Sequence, residues 1–153
     1  MEVYIVSNIR YDDNSSHMAV YKELLQAKIY SVCQSIEFDD EGISWVIFNA
    51  KKAYPDDIIG PILVGRKGSD YGFFDPRKGE IWISIEAIQR GASVTSMVDT
   101  IAISMFKPSK RDDFLADVLL DEITHYQTGA NHGTPKYDDK LRDNRRRYYD
   151  VHL

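Results

Sequence analysis

The sequence predicts an α+β fold in a single domain. Three observations carry that expectation: short β-branched and aromatic runs in the first half, amphipathic helical periodicities at both ends, and a length of 153 residues, enough for one core. Val3 to Ile9 has the content of a short strand. Ser15 or Ser16 is placed to cap a long helix. In that helix Met18, Tyr21, Leu25, Ile29, Val32 and Ile36 recur at spacings of three and four and form one apolar face. Cys33 borders this face and reads as a small core residue. The run Asp39-Asp40-Glu41 before Gly42 reads as a solvated turn.

Ile43 to Phe48 (ISWVIF) is a buried strand by composition. Tyr54-Pro55-Asp56-Asp57 marks a turn, and Ile62 to Val64 another short strand. Tyr71 to Phe74, the turn Asp75 to Gly79 and the strand Glu80 to Ile85 read as a hairpin, with Trp82 packed on it. These strands predict a small, mostly antiparallel sheet. The last third is helical. Val94, Met97, Val98, Ile101 and Met105 define a short helix closed by Lys107-Pro108. Ser109 to Asp112 has the form of a capping box and opens a helix to about Gln127, stopped by Gly129. Thr134-Pro135 starts a final helix. Its inward side is Tyr137, Leu141, Asn144 or Arg145, and Tyr148.

Apolar residues make up 43% and charged residues 28%, which excludes a disordered chain. With 19 basic and 24 acidic side chains the formal charge is −5, which argues against a globally basic nucleic-acid binder. The single cysteine excludes a disulfide framework and any multi-cysteine zinc site. No uncharged apolar run approaches the roughly eighteen residues of a membrane span. Met1 to Ile9 has no basic leader, so a cytoplasmic protein is expected.

The chemistry concentrates in LLDEITHYQTGANHGTPKYDDKL, Leu119 to Leu141. At about 100° per residue, His125 falls about 40° and Glu122 about 100° from Asp121. All three lie within the arc set by Phe114, Val118, Leu115, Tyr126 and Leu119. The opposite arc carries Asp113, Asp117, Thr124 and Gln127, with Leu120 as its apolar exception. Ionisable groups on a core face need partners. Asp121 and His125, at i and i+4, sit close enough to share a metal ion. Glu122 points to the side, where it could activate water. After Gly129 the chain turns back, and His132 can supply a third ligand. Alternatively, Asp121 pairs with Arg142 or Arg145, and the histidines are structural.

The pattern D-E-x-x-H-x6-H-G resembles the active-site segment of the SprT-like zinc metallopeptidases, a branch of the zincins, whose helix carries H-E-x-x-H. The resemblance is strong over some 25 residues and extends weakly upstream through GEIWIS, Gly79 to Ser84. It implies a zincin-like fold with an N-terminal helix, a small sheet, an active-site helix and a following helix. It implies that Glu122 is the catalytic general base and that His125 and His132 are zinc ligands. Gly133 and Tyr137 match the flanking glycine and aromatic. Two features depart from the family. Asp121 stands where the first histidine ligand is expected, and the family's cysteine zinc ribbon is absent.

Asn144-Arg145-Arg146-Arg147-Tyr148-Tyr149 is a second candidate surface. From Lys136 onward six basic and four acidic residues give +2, against −7 for the rest. Arg145, Arg146 and Arg147 could contact nucleic-acid phosphates, or simply complement a helix C-terminus. Three functions are therefore expected in competition. The first is a zinc peptidase acting on a peptide or protein substrate. The second is a catalytically impaired pseudo-metallopeptidase that binds or inhibits a protein, a role suited to a phage or mobile element. The third is a nucleic-acid-contacting module.

Overall fold

The computed structural model describes residues 6–12, 18–49, 71–93 and 113–151. Within them the order is β1 (Asn8–Tyr11), α1 (Ala19–Ile36), β2 (Ser44–Phe48), β3 (Gly72–Asp75), β4 (Glu80–Ser84), α2 (Ile85–Ser93), α3 (Phe114–Thr128) and α4 (Pro135–Val151). The α+β class holds. Val3 to Ile5, Ser15, Ser16, the turn at Tyr54, Ile62 to Val64, the helix expected over Val94 to Met105 and the box at Ser109 lie outside the described residues.

The four strands form one sheet in the order β1-β2-β4-β3. β1 pairs parallel with β2 (Asn8 opposite Ser44), and β2 parallel with β4 (Ser44 opposite Glu80). Only β3 and β4 run antiparallel, as the expected hairpin. The sheet is thus mixed, not mostly antiparallel. The physical reason is the crossover: α1 carries the chain back along the sheet, so β2 must run with β1. The continuous apolar run of β2 was the sequence signal, because strands of parallel sheets are covered on both faces.

Side chains alternate along each strand. Trp45, Ile47, Ile81 and Ile83 face the main core, where they meet Leu25, Ile29 and Val32 of α1 and Leu115, Leu119 and Ile123 of α3. Val46, Phe48, Phe73 and Trp82 form a second cluster on the other face. There Phe73 and Trp82 stack at 5.2 Å between centroids, and the Trp82 indole donates to Glu80 at 3.1 Å.

α1 begins at Ala19 with Met18 as an uncapped N-terminus and ends on Glu37 in the left-handed region (φ 55°). Met18 is exposed, so the apolar face starts later than its periodicity suggests. The turn after α1 is not wholly solvated. Asp40 Oδ2 accepts from the Trp45 indole (2.9 Å) and the Ser7 hydroxyl (2.6 Å), which ties the chain segment before β1 to β2.

The strand expected to reach Ile85 ends at Ser84, whose Oγ caps α2 by accepting from the Ala87 amide at 3.0 Å. α2 was not anticipated. α3 opens on Asp113, whose side chain accepts from the Ala116 amide, and closes on Gly129 at φ 62°, the expected terminator. It lies against α1, α2, α4 and β3. Both of its long sides are therefore buried. Leu120 and Thr124, on the arc expected to be polar, are as inaccessible as Leu119 and Ile123. Tyr126, placed in the buried arc, is instead exposed, with its ring edge-on to Phe38 and Phe74. Each fully buried Leu or Ile contributes roughly 1.5–3 kcal/mol, so α3 is the helix around which the others assemble.

Candidate metal centre

α3 and α4 run side by side, joined by a loop of six residues, 129–134. Their seam is polar and ordered by tyrosines. Asp113, Asp117 and Asp121 recur every four residues along α3, so their side chains stack on one stripe. Each accepts a hydroxyl from α4. Tyr148 donates to Asp113 at 2.7 Å, Tyr149 to Asp117 at 2.5 Å, and Tyr137 to Asp121. The first two carboxylates also hold a cation: Lys28 reaches Asp113 and Arg145 reaches Asp117, each at 2.6 Å. At Asp121 no lysine or arginine arrives among the described residues. Its place is taken by two imidazoles.

The loop brings the second imidazole in. Gly129 and Gly133, both at positive φ, turn the chain back on itself. His132 then hangs over the end of α3. Asp121 Oδ1, His125 Nε2 and His132 Nε2 form a triangle with edges of 3.3 Å, 3.2 Å and 3.1 Å. Ligand atoms bonded at about 2.0–2.1 Å to a tetrahedral zinc lie about 3.3–3.4 Å apart. The three atoms thus have the spacing of one face of a zinc tetrahedron, and together they are a possible metal-holding group. The donor set, two nitrogens and a carboxylate oxygen, also suits zinc.

The surroundings fix this arrangement. His125 Nδ1 lies 2.9 Å from the Ala130 carbonyl, which accepts its proton; loss of the proton from Nε2 would then leave a lone pair there for a metal. Tyr137 is fully buried. Its ring stacks on His125 (4.5 Å, 26°) and tilts against His132 (4.4 Å). His125 is 5% exposed, whereas the His132 side chain is 60% exposed, which leaves the site open on one side.

The electrostatics favour an ionised Asp121 paired with His125. Burial opposes the ionised Asp121, but hydrogen bonds from His125 and Tyr137 and the imidazole charges outweigh it and hold the carboxyl below its usual range. Burial also opposes protonated His125. There the Asp121 hydrogen bond, the Ala130 carbonyl and the charges of Glu122 and Asp121 prevail, and the imidazole is raised.

Glu122 does not join the triangle. It is 1% exposed, on the side of α3 that meets β3. A Cβ at Gly72 would come within 3.3 Å of Glu122 Cγ and 2.8 Å of Val118 Cγ1, so only glycine lets this edge strand lie so close to the helix.

Arg142 and Arg145, the alternative partners of Asp121, bind Asp139 and Asp117 instead. Arg145 belongs to the helix seam and also covers the Tyr149 ring at 5.3 Å. Arg146 and Arg147 both pair with Asp143, and Arg147 also reaches the Ile36 carbonyl at 3.4 Å. Each of the three arginines therefore already faces a carboxylate. Sequence reasoning placed Tyr137 on the inward side of α4, where it is buried, and matched it to a flanking aromatic, but gave it no role toward Asp121. Its spacing from the Asp113–Asp117–Asp121 stripe emerges only once α4 is docked. The Ala130 carbonyl, a backbone atom, has no sequence signal.

No protein-family model, no curated protein and no solved structure matches the chain. None of the described helices is long and apolar enough to cross a membrane.

Proposed function

We propose that this is a zincin-like, mononuclear zinc protein that hydrolyses peptide bonds in the cytoplasm, with Asp121, His125 and His132 as metal ligands and Glu122 as general base. The observation that carries the metal reading is the triangle of Asp121 Oδ1, His125 Nε2 and His132 Nε2, with edges of 3.1–3.3 Å. Without a metal, hydrogen bonds among the imidazoles and the carboxylate hold these atoms together; a zinc ion would take the place of the shared protons. The neighbouring aspartates on the same stripe already have their cations, Lys28 and Arg145.

When bound, zinc would polarise the scissile carbonyl and acidify a water molecule. The Ala130 carbonyl would hold His125 in its ligating tautomer, and His132 would close the site from the loop. Glu122, one residue from Asp121 and beside the edge strand β3, would take the water proton on its carboxylate and pass it to the leaving amine.

A second reading has its own observation. With Glu122 only 1% exposed, substrate access to the base is narrow. A zinc-holding domain without hydrolysis, acting by binding a protein, fits that burial. Elemental analysis of protein purified without chelator or metal-affinity tag tests the shared premise. One zinc per chain is expected, and its absence at equimolar added zinc would sink both readings. Cleavage of an unfolded protein substrate by the zinc form, lost in Glu122→Gln, separates them.

A further inference from the structure

We propose that Tyr137 is a positioning residue for the metal centre: its hydroxyl, by donating to Asp121 Oδ1, fixes the aspartate as the third ligand beside the two imidazoles. The inference rests on the zinc reading above and adds a residue to it. Three contacts carry it. The Tyr137 hydroxyl donates to the Asp121 oxygen that faces both imidazoles. The Tyr137 ring stacks on His125 at 4.5 Å and lies 4.4 Å from His132. Tyr137 therefore touches all three members of the triangle, and it is fully buried, so water does not compete for its hydroxyl.

The chemistry follows from charge. A carboxylate brings a full negative charge to zinc, where an imidazole brings none. That charge weakens the pull of the metal on its remaining ligand. A phenol donating to the ligating oxygen draws charge away from it and holds the carboxylate in one rotamer. Aspartate is also shorter than histidine, so its reach must be set by something outside the triangle. α4 supplies it: Thr134 caps the helix, with its Oγ1 3.4 Å from the Tyr137 amide, and that cap sets the start of the turn on which Tyr137 sits.

Zinc affinity measured by competition with a chromophoric chelator tests this on four forms: native, Tyr137→Phe, Asp121→Ala and the double variant. Tyr137→Phe keeps the ring and removes one oxygen. It should weaken zinc binding about 10–100-fold, the usual cost of losing an outer-shell partner. On the Asp121→Ala background the same change should alter affinity less than about twofold, because the hydroxyl acts through Asp121. An equal loss on both backgrounds would mean a merely structural role and overturn the proposal. Unchanged affinity in Tyr137→Phe, with native binding intact and lost in Asp121→Ala, overturns it while leaving the metal site standing. No zinc binding by the native protein removes the site and the proposal together. A measurement on the native chain needs no variant to fold. The buried Tyr137 hydroxyl proton should give a slowly exchanging downfield NMR signal that persists when zinc is added. Its disappearance on zinc addition would show the phenol leaving Asp121, against the proposal.

Discussion

Asp113 and Asp121 stand two helical turns apart on α3, and each accepts a tyrosine hydroxyl from α4, yet only Asp113 has an ammonium beside it. That difference separates a structural carboxylate from a candidate ligand. At Asp113 the hydroxyl of Tyr148 and the ammonium of Lys28 meet the same oxygen, Oδ2, while Oδ1 caps the helix. The charge is neutralised inside the fold. At Asp121 the corresponding space is lined by two imidazoles, which can share protons with the carboxylate or, on the reading proposed above, a metal ion.

If Asp121 is a ligand, Asp121→Ala should weaken zinc binding by more than the roughly 10–100-fold that loss of an outer-shell partner costs. Two histidines alone leave two tetrahedral positions to water. Asp121→His should retain or strengthen binding. Calorimetric titration of the three metal-free forms with zinc checks this. Equal affinity in native and Ala forms would show that Asp121 holds no metal.

Glu122→Gln should leave zinc stoichiometry unchanged and lower the turnover of a peptide substrate by roughly 10²–10⁴-fold, the range for a lost general base. The substitution keeps volume against Gly72 and removes the proton acceptor. A zinc-loaded Glu122→Gln protein with native turnover would exclude Glu122 as the base.

Asp113 sets an acid limit to stability. Burial opposes its charge, but hydrogen bonds from Lys28 and Tyr148, the Lys28 charge and the Ala116 amide outweigh it and hold its carboxyl below the usual range. A folded-state value below the unfolded one, about 3.9, gives stability that is complete above that value. It is lost as pH falls through the lower, folded value. Asp117 has the opposite sign. Its burial outweighs Tyr149 and Arg145 and raises it, so its contribution is complete below the unfolded value and declines as pH rises through the folded one. Urea unfolding from pH 6 down to pH 3 should therefore show a steeper loss in native protein than in Asp113→Asn. An identical acid limb in the two would refute the assignment. At neutral pH, Asp113→Ala should cost about 2–4 kcal/mol, from the lost cap and the lost hydrogen bonds from Lys28 and Tyr148.

The α+β class, the β3–β4 hairpin, the stop at Gly129 and the start at Pro135 were legible, because local chemistry decides each: turn residues, a positive-φ glycine, a proline at the first helical position. The convergence of Asp121, His125 and His132 was legible too, from the i, i+4 spacing of the first two and the short return loop before the third. Parallel pairing was not, since strand direction depends on how α1 packs and on residues far apart in sequence. The burial of Leu120 and Thr124 was missed for a related reason. A helical wheel assumes one inner face, and α3 has two, because α4 covers the second. There Asn144 donates to Thr124 at 3.0 Å and to Gln127 at 2.8 Å, pairs that make polar residues acceptable inside.

The packing of α2 on α3 gives a prediction in which two effects oppose each other. Gly91 lies inside α2, where alanine is favoured over glycine by about 1 kcal/mol on helix propensity alone. A Cβ at Gly91, however, would sit 2.6 Å from Leu115 Cβ and 3.2 Å from its Cδ2. Cβ is fixed to the backbone, so rotation of the Leu115 side chain cannot relieve that contact. The helices must separate, and overpacking of this kind costs typically about 1–3 kcal/mol. The steric term should win, so Gly91→Ala should lower stability despite the better helix former. The loss should largely disappear in Gly91→Ala combined with Leu115→Gly. Removing the Leu115 side chain costs its own burial, so the comparison is Gly91→Ala on the two backgrounds. Denaturant midpoints of the four forms give the coupling directly. A Gly91→Ala protein as stable as the native one, or more so, would show that α2 and α3 are not in this close contact.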